Sequence, residues 1–244
     1  QTLAMSLGAG ETTLIRLTTA YAMLVNGGRR IAPTLLDRIQ DRHGRTVFSH
    51  DQRVCKGCRQ KAWAGELPPR IPDTRKQVTD AGSAYQVVAM LKGVVDRGTG
   101  RRIAKIGKPL AGKTGTTNRE RDTWFIGFSP DLAVGVFVGF DKPIPLGRRE
   151  TGSSVAAPVF RDFMGRALED KPAIPFRIPP NIRLVRVNAR TGQLAQTGER
   201  NVILEAFKPG SVPTGASQVL EGQSWTAGHG GAGSGALTGT GGLY

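Results

Sequence analysis

Leu14, Leu17, Tyr21 and Leu24 recur at helical spacing, and Asn26-Gly27-Gly28 follows as a left-handed stop, so residues 11–26 read as a half-buried helix. A second helix is predicted from about residue 80 to 96. There Tyr85, Val88, Leu91 and Val95 share a face, Thr79 or Asp80 serves as N-cap, and Gly98 lies just past the end. Between the helices, residues 35–39 and 46–48 flank the turn-forming Asp41-Arg42-His43-Gly44 and predict a small hairpin. Residues 52–76 are rich in charge and proline and read as an irregular insertion.

Three strands follow, at residues 110–116, 123–128 and 132–140, with Ser129-Pro130-Asp131 as the turn between the last two. Connections this short imply antiparallel neighbours. Residues 155–168 carry Ala157, Phe160, Met164 and Leu168 along one helical face, which is expected to pack on the sheet. The domain therefore takes in residues 1–170. The proline-rich residues 171–180 read as a linker, and residues 183–194 and 201–207 as a small β appendage, so that linker and appendage together span 171–208. From residue 209 to 244 the only Asp, Glu, Lys or Arg is Glu221, and glycine, alanine, serine and threonine dominate residues 228–242. Such a tail cannot bury a core and is expected to be disordered.

The chain has 244 residues, 39% of them hydrophobic, enough for a buried core. No run of about 18 apolar residues occurs, and Gln1 opens directly into Leu3-Ala4-Met5-Ser6-Leu7. The chain is expected to be cut from something longer, with any signal or anchor upstream of Gln1. A net charge of +15 invites a polyanion. The pairs Arg29-Arg30, Arg101-Arg102 and Arg148-Arg149 are scattered, however, with few aromatics between them and no nucleic-acid motif, so the charge reads as a solvated basic surface. Cys55 and Cys58 have C-x2-C spacing without a second Cys pair or a close His pair, which argues against zinc. A local disulfide is the expected reading in an oxidising compartment, with a redox pair or free thiols as the alternatives. His43, His50 and His229 sit in turn or tail sequence and read as surface residues.

Candidate chemistry centres on Lys113-Thr114-Gly115-Thr116-Thr117-Asn118. Lys-Thr-Gly is one of three elements of serine β-lactamases and penicillin-binding proteins, beside Ser-x-x-Lys and Ser-Asp-Asn. Alone it is weak, since roughly one chain of this length in twenty carries it by chance. On a strand, each residue has a task. The Lys113 ammonium attracts a peptide carboxylate and favours ionisation of nearby proton-transfer groups. Thr114 and Thr116 alternate onto one face, where their hydroxyls suit that carboxylate. Gly115 leaves room for a substrate laid along the strand, and the Thr116 N–H suits a developing oxyanion. The alternative is an exposed edge strand whose lysine discourages aggregation and whose threonines favour the strand.

Wider blocks decide between them. Gly93-Val94-Val95-Asp96-Arg97-Gly98-Thr99-Gly100, then residues 111–118, then Asp122-Thr123-Trp124-Phe125-Ile126-Gly127-Phe128-Ser129-Pro130 closely resemble bifunctional class A penicillin-binding proteins. Ser6-Leu7-Gly8 with Glu11, Asn26-Gly27-Gly28, Val138-Gly139-Phe140-Asp141 and Ala156-Ala157-Pro158 add to the resemblance. It implies an α+β fold, an antiparallel sheet flanked by helices, of which this chain holds the C-terminal part. It also implies a serine acyltransferase that cross-links peptidoglycan stem peptides at D-Ala-D-Ala and is acylated by β-lactams. Catalytic roles would fall to Lys113 and Thr116, and substrate contacts to Thr114, Gly115, Thr116, Thr117 and Trp124, although Trp124 and Phe125 read first as core packing. Neither metal nor organic cofactor is implied. An upstream glycosyltransferase domain, a membrane anchor, other cell-wall synthesis proteins as partners and the periplasmic face of the inner membrane are. The departure is that no serine has a lysine three residues on, and no Ser-x-Asn occurs. The nucleophile is expected in preceding sequence. The alternatives are a D,D-carboxypeptidase or β-lactamase of the same fold, or a non-catalytic basic module that binds cell-wall polymer or a partner synthase.

Overall fold

The computed structural model describes residues 3, 8, 10–55, 58, 62, 65, 67, 69 and 71–214. Residues 215–244 of the expected tail, Ser6-Leu7 and parts of the 52–76 insertion lie outside these. The chain divides into two units, Gln1–Leu184 with Glu205–Ser211, and Val185–Leu204 with Val212–Tyr244.

In the first unit, helix α1 (Leu14–Val25) starts where the Thr13 side chain accepts from the Arg16 N–H. It ends at Gly27 and Gly28, whose φ of 69° and 77° suit glycine. Gly28 also accepts from Val78 N at 2.8 Å, which brings the chain back toward the next helix. Strands β1 (Arg38–Gln40) and β2 (Thr46–Ser49) form a short antiparallel hairpin. Helix α2 (Ala81–Arg97) is capped by Asp80, whose side chain accepts from Ser83 N at 2.9 Å and from Lys208 Nζ at 3.0 Å. The bonds from Ser83, and then that from Lys208, hold the Asp80 carboxyl below the usual carboxylate range.

A 3-10 turn (Arg101–Ile106) leads into β3 (Ala111–Thr116), β4 (Asp122–Phe128) and β5 (Ala133–Gly139), an antiparallel sheet in the order β3-β4-β5. The register pairs Lys113 with Ile126, Thr114 with Phe125, Gly115 with Trp124 and Thr116 with Thr123. Helix α3 (Ala157–Ala167) begins two residues later than its apolar pattern predicts, after a π-helical turn (Gly152–Ala156). The physical reason is Pro158, which suits the first turn of a helix but has no N–H to donate further back.

Both sheet faces are covered. Phe125 stacks on Phe160 of α3 with ring centroids 4.7 Å apart, and this core includes Val95, Ile103, Leu110 and Met164. On the other face Phe128 meets Tyr21 of α1 at 6.4 Å and Phe176 at 5.7 Å, with Val88, Leu91 and Ala111 beside it. Each large side chain buried here contributes about 1.5–3 kcal/mol, against about 0–1 kcal/mol for a surface ion pair. The two clusters, and not the surface ion pairs, therefore position the sheet. The architecture is α+β, an antiparallel sheet flanked by helices, as the sequence implies.

Strands β6 (Arg183–Asn188) and β7 (Val202–Phe207) form a two-stranded sheet. Within the second unit, Asn188 Oδ1 accepts from Arg190 N and Thr191 N, and its Nδ2 donates to Glu199. No helix among the described residues is long and apolar enough to cross a membrane.

Candidate active site

Alternation along β4 sorts the motif. Phe125 faces α3 and Phe128 faces α1, so their register partners inherit those faces. Thr114 and Thr116 lie on the α3 face, and Lys113 and Gly115 on the α1 face. The Thr117 N–H donates to the Asp122 carbonyl at 3.0 Å, closing the β3–β4 ladder. By the alternation of an antiparallel pair, Gly115 and Lys113 also direct their backbone groups toward β4. Thr114 and Thr116 therefore turn their N–H and C=O outward to the edge of the sheet.

Lys113 is exposed, and its Nζ donates to the Thr114 carbonyl at 2.9 Å and lies 3.5 Å from Thr114 Oγ1. No carboxylate pairs with it among the described residues. Thr114 Oγ1 is 2.9 Å from Thr99 Oγ1, and the Ser153 hydroxyl donates to the Thr99 carbonyl at 2.9 Å. Thr116 Oγ1 accepts from the Gly152 N–H at 3.0 Å. A hydroxyl has one donor and two acceptor positions, so Thr116 keeps its donor for another partner. The Thr114 and Thr116 hydroxyls, with Thr99 and Ser153 bonded behind them, thus lie on the α3 face, and the Lys113 ammonium, without a carboxylate partner among the described residues, reaches Thr114 around the open edge of the strand.

Two glycines set this geometry. A Cβ on Gly115 would lie 3.1 Å from the Cβ of Trp124. One on Gly152 would lie 2.6 Å from both the Gly115 and Trp124 carbonyl oxygens, and only glycine lets the π-helical turn rest on the strand.

Thr117 Oγ1 accepts from Asp122 N at 2.8 Å, so its hydroxyl is engaged in the turn after β3. In that turn Arg119 and Glu120 take φ of 61° and 53°, uncommon for residues with a side chain. Glu120 offsets the strain with long-range bonds, accepting from Leu146 N through its carbonyl at 2.9 Å and from Arg149 N through its carboxylate at 3.2 Å. Trp124 is half-buried, with its ring centroid 4.6 Å from that of Phe137, whereas Phe125 is wholly buried. Cys55 and Cys58, remote in sequence from this strand, are joined as a disulfide with their Cα atoms 5.6 Å apart.

Thr99, Gly152, Ser153 and Glu120 were not singled out by the sequence reading. Thr99 belongs to the family-like stretch 93–100, but its partner Thr114 is on another element. Gly152, Ser153 and Glu120 carry no local signal of their contacts.

The penicillin binding protein transpeptidase domain family model matches residues 1–165. Penicillin-binding protein 1A of Rickettsia conorii is 43% identical over 212 residues, covering 85% of this chain and 26% of the relative. Its namesake in Pseudomonas aeruginosa is 32% identical over 248 residues, covering 89% of this chain and 30% of the relative. The crystal structure of penicillin-binding protein 1A from Haemophilus influenzae superposes with a TM-score of 0.71 at 31% identity, covering 86% of this chain and 34% of that chain. The chain thus spans between 26% and 34% of the length of these relatives.

Proposed function

We propose, from the premise that this chain belongs to the penicillin-binding protein transpeptidase domain family, that it supplies one wall of a serine acyl-transfer site for peptidoglycan cross-linking. The observation that carries this reading is the Lys113 ammonium, without a carboxylate partner among the described residues, reaching the Thr114 hydroxyl on a strand whose Thr116 N–H turns to the open edge.

The reaction has two steps. A serine Oγ supplied from outside these 244 residues attacks the penultimate D-Ala carbonyl of a stem peptide. Its proton passes to the departing amine, the peptide bond breaks and terminal D-Ala leaves. An amine of a second stem then attacks the ester, forming the cross-link and returning a proton to the serine. Lys113 supports ionisation of the proton-transfer groups and draws in the stem's terminal carboxylate. Thr114 and the free donor of Thr116 hold that carboxylate, and the Thr116 N–H stabilises the oxyanion in both steps. Gly115 keeps the strand open to the peptide, and Trp124 lines the groove with its aromatic face. Thr117 acts on the same groove by fixing the end of the strand.

In this reading residues 1–170 belong to the transpeptidase domain, followed by a linker and β appendage to residue 208. The whole protein carries a glycosyltransferase domain and a membrane anchor, and works on the outer face of the cytoplasmic membrane with other cell-wall synthesis proteins. β-Lactams, which mimic the D-Ala-D-Ala carbonyl and carboxylate, acylate the same serine.

Fluorescent penicillin tests this reading. The full-length protein is expected to become covalently labelled at a serine outside these residues, and the 244-residue chain alone to remain unlabelled. Absence of label on the full-length protein, or label on the isolated chain, contradicts it.

A further inference from the structure

A second feature lies among the segments that join α1 to α2. Arg29 pairs with Gln77 across an isolated antiparallel bridge, and Arg30 N donates to the Lys76 carbonyl at 2.8 Å. His50, whose N–H donates to the Asp37 carbonyl at 2.8 Å at the end of the hairpin, lies beside them. Together these segments enclose an open cleft of about 330 Å³ lined by Arg30, Ile31, Ala32, His50, Arg75 and Lys76.

The charges around this cleft do not balance. Asp73 is held by Arg75 at 2.7 Å and by Arg29 at 3.4 Å, and Asp51 is held by Arg53. Arg29, Arg53 and Arg75 are thus paired with these two carboxylates, and of the Arg and Lys side chains that line the cleft only Arg75 has a carboxylate partner among the described residues. Arg30 and Lys76 have no carboxylate partner there, although backbone pairing fixes them as neighbours. Like charges held across a strand pair repel, and an anion between them relieves the repulsion.

We propose that this cleft binds a phosphate-bearing anion. A guanidinium fork and an ammonium on one rim match the several acceptor oxygens of a phosphate group, with His50 and Arg75 available as further donors. Ile31 and Ala32 add apolar surface beside these donors. The phosphate could belong to a soluble diphosphate or to an anionic lipid headgroup, and the cleft reads the chemistry the two share.

The test is a titration of the 244-residue chain with inorganic pyrophosphate at constant ionic strength, followed by calorimetry. Saturable one-site binding is expected. The double variant Arg30→Ala/Lys76→Ala is expected to weaken it at least about tenfold. The control Arg42→Ala/Arg45→Ala removes the same charge from the hairpin turn and is expected to stay within about twofold, since exposed charges at a distance are screened. All four residues are exposed, so unchanged thermal unfolding midpoints confirm folding. If the double variant fails to fold, Lys76→Gln alone is expected to weaken binding about threefold or more. Non-saturable binding, or equal weakening in cleft and control variants, overturns the proposal. Cosedimentation with phosphatidylglycerol vesicles, against phosphatidylcholine vesicles, separates the sources. Vesicle binding that pyrophosphate displaces assigns the cleft to a headgroup, and saturable pyrophosphate binding without vesicle binding assigns it to a soluble ligand.

Discussion

In the full-length protein, Lys113→Ala is expected to lower the rate of covalent labelling by fluorescent penicillin by about 100-fold or more, the loss that follows when a preorganised charge-stabilising group leaves an acyl-transfer site. The variant is expected to keep its unfolding midpoint, because Lys113 is exposed and has no ion-pair partner among the described residues, and such surface changes stay within about 0.5 kcal/mol. Lys113→Arg is expected to restore part of the rate, since charge returns but the bulkier planar head does not reproduce a compact ammonium. A role confined to strand solubility predicts the opposite pattern, with full-rate labelling by Lys113→Ala and greater aggregation. Equal rates in the wild type and Lys113→Ala would remove Lys113 from the mechanism.

Gly152→Ala is expected to be costly although it adds one methyl group. That methyl would stand 2.6 Å from two carbonyl oxygens and 3.0 Å from Gly115 N, all backbone atoms of the sheet, so no side-chain rotation relieves the clash. Either the π-helical turn lifts away or β3 shifts. Overpacking of this kind costs about 1–3 kcal/mol, which urea unfolding of the 244-residue chain measures. Lifting the turn also separates Gly152 N from Thr116 Oγ1 and Ser153 from Thr99, so the Thr114 and Thr116 hydroxyls lose their support. Labelling of the full-length variant should fall about tenfold or more, because placement errors of a fraction of an ångström are felt in catalysis. Ser153→Ala removes one hydrogen bond and no space, and is expected to cost about 1 kcal/mol. A Gly152→Ala protein as stable and as readily labelled as the wild type would mean that the turn does not hold the strand.

The contrast between these two residues shows where sequence reading reaches its limit. The placement of Lys113 on an exposed strand position was legible because its surroundings are local, a strand, a turn and a second strand in one continuous stretch. The pairing of β3 with β4 follows from the short connection, and the alternation that puts Thr114 and Thr116 on one face follows from strand geometry. The family was legible for a related reason, since three ordered blocks survive as contiguous text, and the family match over residues 1–165 bears that resemblance out. Gly152 could not be read in this way. Its role depends on an approach to Gly115 from 37 residues along the chain, and a glycine in Thr151-Gly152-Ser153 looks like any loop glycine. Glu120 and Thr99 are similar, each defined by a partner on another element. Helix limits moved for reasons of one or two residues, with Thr13 rather than Glu11 starting α1 and Pro158 delaying α3. The hairpin forms, but its first strand is shifted, β1 covering Arg38–Gln40 against an expected 35–39, while β2 runs one residue longer than expected, Thr46–Ser49. An irregularity between Ile39 and Gln40 breaks its register.

The positions of Trp124 and Phe125 sharpen the reading of the groove. Two adjacent aromatics on a strand must face opposite ways, so a single assignment could not serve both. Phe125 is spent on the core with Phe160, while Trp124 stays half-buried against Phe137 on the face that carries Lys113 and Gly115. Of the two, Trp124 is the one left partly open, on the face opposite the Phe125–Phe160 core.

The most direct measurement is a crystal structure of the full-length protein acylated by a β-lactam. The acyl carbonyl oxygen is expected about 3 Å from Thr116 N, and the β-lactam carboxylate within about 3 Å of the Thr114 or Thr116 hydroxyl. The Lys113 ammonium is expected on the same side of the bound group. An acyl-serine whose carbonyl oxygen sits away from Thr116 N, with its carboxylate held by residues outside this strand, would contradict the claim that Lys113 to Thr116 form a wall of the active site.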